Sequence, residues 1–129
     1  MHVQTPPRIG IDLVEVDRMA KLESTPGLAE QLFTYGEIAY CQAHRFPRIS
    51  FAACFAAKEA FLKASGIGLH AGMTFSEIEI EYTHPHQPTL TLHGRLRERF
   101  ADTFACHLSV GTCHDMASAV VALEEKRNN

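Results

Sequence analysis

Six charged side chains in or beside two otherwise apolar segments are the residues of this chain best suited to chemistry. Ile9 to Val16 (IGIDLVEV) is a β-branched run that carries Asp12 and Glu15, with Asp17 immediately after it. Phe51 to Ser65 (FAACFAAKEAFLKAS) contains six alanines, and its only charges are Lys58, Glu59 and Lys63. A carboxylate inside a buried strand is costly to desolvate unless it is paired, hydrogen-bonded or bound to a metal, so Asp12 calls for a partner. Carboxylates are hard oxygen ligands of the kind Mg²⁺ prefers, and that ion commonly takes only one or two of them, leaving positions for water and phosphate. Lysines nearby would meet the remaining phosphate charge, so the two segments suit a pyrophosphate-bearing substrate. Glu59 and Lys63, four residues apart, share one face of a helix, with Lys58 rotated by about 100° from Glu59. Taken alone, that spacing is more often the mark of an exposed ion pair contributing about 0.3–0.5 kcal/mol. Spacing cannot bring Asp12 and Glu59 together, because they are far apart in sequence.

The elements that must position these groups follow from periodicity. Ile9–Val16 reads as a buried strand. Ser24-Thr25-Pro26-Gly27 is a turn, and Leu28 to Cys41 carries short helical patterns broken near Tyr35-Gly36. Phe51–Ser65 is a helix, with Phe51, Phe55 and Leu62 spaced for one face and Gly66 as its C-terminal cap. In Phe75–Tyr82 apolar residues alternate with Glu77, Glu79 and Glu81, as in a strand with one wet face. His84–Pro88 is a turn, Thr89–Leu92 a short strand, and Gly94–Asp102 a helix. Strands around Ala105–Val110 and Met116–Leu123 flank a Gly-Thr-Cys-His-Asp turn as a hairpin, and the polar tail from Glu124 is expected to fray. The pattern is α+β: one domain over residues 1–129, a mainly antiparallel sheet packed on a central Ala-rich helix.

Composition sets the outer bounds. The 129 residues are 46% apolar and 21% charged, ordinary values for a folded soluble protein. The net charge of −3 argues against a general nucleic-acid surface. Residues 1–63 hold seven basic and seven acidic side chains and residues 64–129 five and eight, so an anion site should draw on the first half. The longest apolar run, Phe51 to Ala57, is too short for a membrane span of roughly 20 residues. Four widely spaced cysteines and the lack of an opening signal pattern point to a cytoplasmic protein with reduced thiols. The eight histidines complete no tetrahedral zinc pattern and read as structural or surface residues.

Several of these segments together resemble one family. Gly10-Ile11-Asp12-Leu13-Val14-Glu15 followed by Arg18, then Phe55-Ala56-Ala57-Lys58-Glu59-Ala60 with Lys63-Ala64 and Gly66-x-Gly68, is similar to the holo-acyl-carrier-protein synthase family of 4′-phosphopantetheinyl transferases. The likeness continues through Glu37–Cys41, Gly72–Ile80, Gln87–Gly94 and the last hairpin. Order and separation make it specific, since each short motif alone is weak. The resemblance implies transfer of the phosphopantetheine arm of coenzyme A to a serine of an apo acyl carrier protein, with release of adenosine 3′,5′-bisphosphate. It also implies Mg²⁺, and a homotrimer whose active sites lie between subunits. On that mapping Asp12 and Glu59 hold the metal, while Lys58 and Lys63 neutralise phosphate oxygens and charge on the leaving group. Glu15 is a candidate base for the serine proton, directly or through water. Gly66 and Gly68 stop the helix or let backbone approach coenzyme A. Arg18 faces either the acidic carrier or solvent.

Two positions depart from the family's pattern. Cys54 stands where an arginine usually precedes Phe-Ala-Ala-Lys-Glu-Ala, and a thiol cannot make the bidentate phosphate contacts of a guanidinium. In Ser109-Val110-Gly111-Thr112-Cys113, Thr112 takes the place of a histidine expected to contact coenzyme A, with His114 two residues later as a substitute. These departures keep a second expectation open: a divergent member, weakly active or inactive, that binds coenzyme A or a carrier protein.

Overall fold

The computed structural model describes residues 5–67, 75–84 and 87–127. Its centre is α4 (Pro47–Ser65), one turn longer at its start than the alanine-rich pattern suggests, because Pro47 sits at the first helical position, where its missing N–H costs nothing. Gly66 ends the helix in the left-handed conformation, with φ of 75°. Ala52, Ala56, Ala57, Ala60 and Ala64 are all buried. With side chains this small, the strand β1 (Arg8–Glu15) lies directly on the helix backbone. A Cβ added to Gly10 would stand 2.1 Å from the Ala60 carbonyl oxygen and 2.6 Å from the Ala64 nitrogen, so only glycine permits this approach.

From β1 the chain passes through a 3₁₀ turn (Val16–Ala20) and three short helices: α1 (Lys21–Ser24), α2 (Leu28–Leu32) and α3 (Tyr35–Gln42). The break between the last two falls at Phe33-Thr34 and not at Tyr35-Gly36. Thr34 is the reason: its hydroxyl accepts from the Glu37 N–H while the Glu37 carboxylate accepts from the Thr34 N–H, a reciprocal cap that starts α3 at Tyr35. After α4 come a 3₁₀ turn (Phe75–Glu77), β2 (Ile78–His84), β3 (Gln87–Leu92) and α5 (Gly94–Phe100). Phe75–Glu77 was expected to belong to the strand. The chain closes with the hairpin β4 (Phe104–Thr112) and β5 (Met116–Glu125). Glu124 and Glu125, expected to fray, are held in β5 by pairing with Ala105 and Phe104.

The strands form two antiparallel sheets, one of order β1-β5-β4 and the other the β2-β3 hairpin. In the first sheet Asp12 pairs with Ala119 and Val14 with Ala117. Alternation puts Gly10, Asp12 and Val14 on the side facing α4, and Ile9, Ile11 and Leu13 on the opposite side, where each is more than 60% exposed. Beneath the sheet Phe61, Val121 and Leu123 are almost fully buried, each contributing roughly 1.5–3 kcal/mol through apolar burial.

The Gly10 contact carries a first prediction. Gly10→Ala should cost about 2–3 kcal/mol of unfolding free energy in urea, since two backbone atoms of α4 would have to move. A loss below about 0.5 kcal/mol would mean that the strand does not ride on the helix backbone.

Candidate active site

Because β1 is seated on α4 at Gly10, the next inward-facing residue, Asp12, meets the helix one turn from Glu59. Lys63 joins them: its ammonium donates to Asp12 Oδ1 at 2.9 Å and to the Ile11 carbonyl at 3.1 Å. The Asp12 side chain is largely covered, at 15% exposure, whereas that of Lys63 is 55% exposed. Glu59 is half-buried. Burial first, and then the negative charge of Asp12, hold the Glu59 carboxyl above its ordinary value, while Lys63 and Arg18 act in the opposite direction. Arg18 stands at the rim with its guanidinium 5.7 Å from the centre of the Phe55 ring, a cation–π contact. Phe55, Glu59 and Lys63, spaced by four, are the only residues between Phe51 and Ser65 that are not buried. Glu15 ends β1 and is exposed; alternation sets it on the face of Ile11 and Leu13, opposite Asp12, so the strand does not bring it beside the pair.

Two carboxylates near enough for one to raise the other, one largely covered and one half-buried, are a natural cation site: each raises the energy of the other's charge, and a divalent ion relieves both. Among the described residues no group of three or more His, Cys, Asp and Glu side chains is placed to hold a metal. That donor set fits a hard ion that takes two carboxylates and fills its other positions with water or phosphate, and Mg²⁺ is such an ion.

Lys58 requires a correction. It was expected at the phosphates, but its side chain points into the core and is 0% exposed. Its ammonium meets Glu37 Oε1 at 2.6 Å, the Leu32 carbonyl at 2.8 Å and the Phe75 carbonyl at 3.0 Å. An ammonium has three N–H donors, so none remains for a ligand. Burial pulls Lys58 below the usual lysine range, against the pull of Glu37. The carboxylate of Glu37 is equally committed, accepting from the Thr34 N–H at 2.9 Å and from the Ile80 N–H at 2.7 Å. The sequence reading did not single out Glu37, although Thr34-x-x-Glu37 is a capping-box pattern that would have marked it.

The remaining candidates lie further away. Gly66 is the exposed helix cap described above, and Gly68 falls outside the described residues. Thr112, Cys113 and His114 are exposed at the β4–β5 turn, whose Asp115 carbonyl accepts from the Val16 N–H at 2.9 Å. Thr112 lines a groove of about 560 Å³ with Tyr40, His44, Arg45 and Tyr82, in which the rings of Tyr40 and Tyr82 stack at 4.1 Å. His114 lines an adjoining cavity of about 580 Å³ with Val16, Met19, Arg45 and Arg48. Neither cavity includes Asp12 or Glu59. Cys54 is sealed in the core with its Sγ 3.9 Å from that of Cys41, so this position offers no polar group to either cavity. Contact with Cys41 and burial hold its thiol well above the usual cysteine range, as befits a packing residue.

Helix, strand and carboxylate pair lie in one α+β domain, and comparison with known proteins gives its class. The sequence profile of the 4′-phosphopantetheinyl transferase superfamily matches residues 8–122, and the chain belongs to that family. Over 121 residues the chain is 38% identical to the holo-[acyl-carrier-protein] synthase of Syntrophus aciditrophicus, covering 89% of this chain and 93% of that protein. Over 119 residues it is 39% identical to the enzyme of the same name from Geobacter metallireducens, covering 89% and 94%. The crystal structure of a holo-(acyl-carrier-protein) synthase from Bacillus anthracis in complex with CoA (3′,5′-ADP) is similar with a TM-score of 0.78 and 27% identity, covering 95% of this chain and all of that one.

The Lys58–Glu37 pair yields a second prediction. Removing one partner of a buried ion pair leaves an uncompensated charge. Lys58→Met should therefore lower the unfolding free energy by about 3–5 kcal/mol in a urea titration. An unchanged midpoint would return Lys58 to the surface and to the ligand.

Proposed function

We propose that this chain is a holo-acyl-carrier-protein synthase: it transfers the 4′-phosphopantetheine arm of coenzyme A to a serine hydroxyl of an apo acyl carrier protein and releases adenosine 3′,5′-bisphosphate. The convergence of Asp12, Glu59 and Lys63 at one half-open mouth carries the reading, since that set of charges suits a diphosphate held through a divalent ion. Membership in the family, the curated relatives and the likeness to a coenzyme A complex support it.

In this reading Asp12 and Glu59 hold Mg²⁺, which supplies, when bound, neutralisation of diphosphate charge. Transfer of this type depends on in-line positioning and charge stabilisation more than on covalent help from the protein. Lys63, on its flexible and half-exposed stem, meets phosphate oxygens and the charge that develops on the leaving group. Lys58, fully committed in the core, has no such part. Glu15, exposed at the end of β1, accepts the serine proton directly or through a water molecule. Arg18, in cation–π contact with Phe55 at the rim, meets the acidic carrier, where a cation steers encounter.

The assembly in this reading is a homotrimer. Ile9, Ile11, Leu13 and Val120 leave an apolar face on the β1-β5-β4 sheet, of the kind that marks an interaction site. A subunit interface there would let the turn carrying Thr112, Cys113 and His114 serve a neighbouring subunit's coenzyme A, since within one subunit Thr112 and His114 line cavities that do not include Asp12 or Glu59. Cytoplasmic residence follows from the substrates and agrees with four free cysteines.

A second reading is favoured by Cys54 and Thr112: a protein that binds coenzyme A or the carrier without efficient transfer. One experiment separates the two. Purified protein is incubated with apo carrier, coenzyme A and Mg²⁺ and the carrier mass is read, beside calorimetric titration with coenzyme A. Transfer is expected, and Asp12→Ala and Glu59→Ala should each lower it by about a hundredfold or more. Binding without transfer at high enzyme concentration supports the second reading, and near-normal turnover in both variants rejects the metal role.

A further inference from the structure

Lys63 does more here than wait for a phosphate. Its ammonium is bonded to Asp12 Oδ1 at 2.9 Å and to the Ile11 carbonyl at 3.1 Å, and the Asp12 charge is felt by Glu59 one helical turn before Lys63. The Ile11 carbonyl is a backbone group next to Asp12, so the ammonium is held by two oxygens at once. We infer that Lys63 is the resident cation of the divalent site: its ammonium occupies Asp12 while no metal is bound, and it must leave for the ion to enter. The inference rests on the metal reading of Asp12 and Glu59 and adds an exchange that this reading does not contain.

The chemistry of the two cations supports the exchange. Mg²⁺ binds carboxylate oxygen at about 2.0–2.1 Å and demands near-octahedral geometry, whereas the ammonium needs a hydrogen-bond separation and already points a proton at Asp12 Oδ1. Both cations would compete for one small, largely covered carboxylate. The stem of Lys63 is 55% exposed, and its four rotatable carbons let the ammonium swing outward without disturbing the helix. Once released, it is free to donate to an anion that arrives with the metal. One residue thus neutralises Asp12 in the unloaded protein and the phosphate in the loaded one. The same exchange opposes metal binding without the anion, because the released lysine then has no partner, and it favours binding of the two together.

The test uses the intact chain and Mn²⁺ alone, with binding read by electron paramagnetic resonance of the free ion and no substrate present. Lys63→Met should bind Mn²⁺ about fivefold more tightly than the wild type, the loss of one competing pair. Arg18→Met is the control for general charge: it also removes a cation near Glu59 but one with no bond to Asp12, and it should tighten binding much less. In the presence of coenzyme A the order should reverse, Lys63→Met then holding the ion less tightly than the wild type. Lys63→Met that binds Mn²⁺ alone equally or more weakly, or Arg18→Met that tightens as much, overturns the exchange while leaving the metal site standing. Wild-type binding that Asp12→Asn does not weaken overturns the metal reading, and the exchange falls with it.

Discussion

The position of the site depends on one steric fact, the absence of a side chain at Gly10. A β-strand and a helix normally stand apart by the thickness of their side chains, about 10 Å between axes. Here the helix offers alanine at 56, 60 and 64, the strand offers glycine at 10, and the two backbones meet. Everything in the candidate site lies within a few residues of that contact: Asp12 two positions along the strand, Glu59 and Lys63 on either side of Ala60. Burial first, and then the charge of Asp12, hold Glu59 above its ordinary value, so setting the two carboxylates together has a cost. A close, rigid contact on neutral residues nearby is a physically sensible way to hold two like charges together.

The three charges of the helix divide according to their angles around its axis. Glu59 and Lys63 share the outer face with Phe55, and Lys58, about 100° away, is turned into the core. There it bonds the last residue of α2 and the first residue of the turn before β2, and through Glu37 it reaches the start of α3 and the backbone of β2. A buried ion pair is seldom the most stable choice for a core, since well-packed apolar residues of similar size do as well or better. What the pair supplies is specificity of arrangement: four separate elements are tied to one point on α4, adjacent in sequence to the carboxylate at the mouth.

Much of this was legible in the sequence. Alanine content and apolar spacing marked the central helix and Gly66 its cap, alternation marked the strands of the second sheet, and β-branched residues marked β1, which was expected to be buried but leaves Ile9, Ile11 and Leu13 exposed; a carboxylate in that run marked Asp12. Motif order and spacing identified the family. What was misread is instructive. The angle of Lys58 relative to Glu59 was already given by helical geometry, and it pointed away from the shared face; the expectation imported from resemblance set it beside the phosphates. The position of the α2–α3 break was hidden in a capping box, whose members are polar and carry no hydrophobic period. Glu124 and Glu125 looked like a fraying tail because strand pairing with β4 is a long-range property that composition does not report. Glu37 as partner of Lys58, and the Tyr40–Tyr82 stack, depend on contacts between elements distant in sequence.

The account is tested most directly by locating a divalent ion in crystals. Crystals of the protein grown with Mn²⁺ and coenzyme A, measured at a wavelength where manganese scatters anomalously, should show one strong peak per site in contact with both the Asp12 and the Glu59 carboxylates, with diphosphate oxygens completing its shell. A peak bound elsewhere, or Asp12 and Glu59 facing separate solvent with no ion between them, would contradict it.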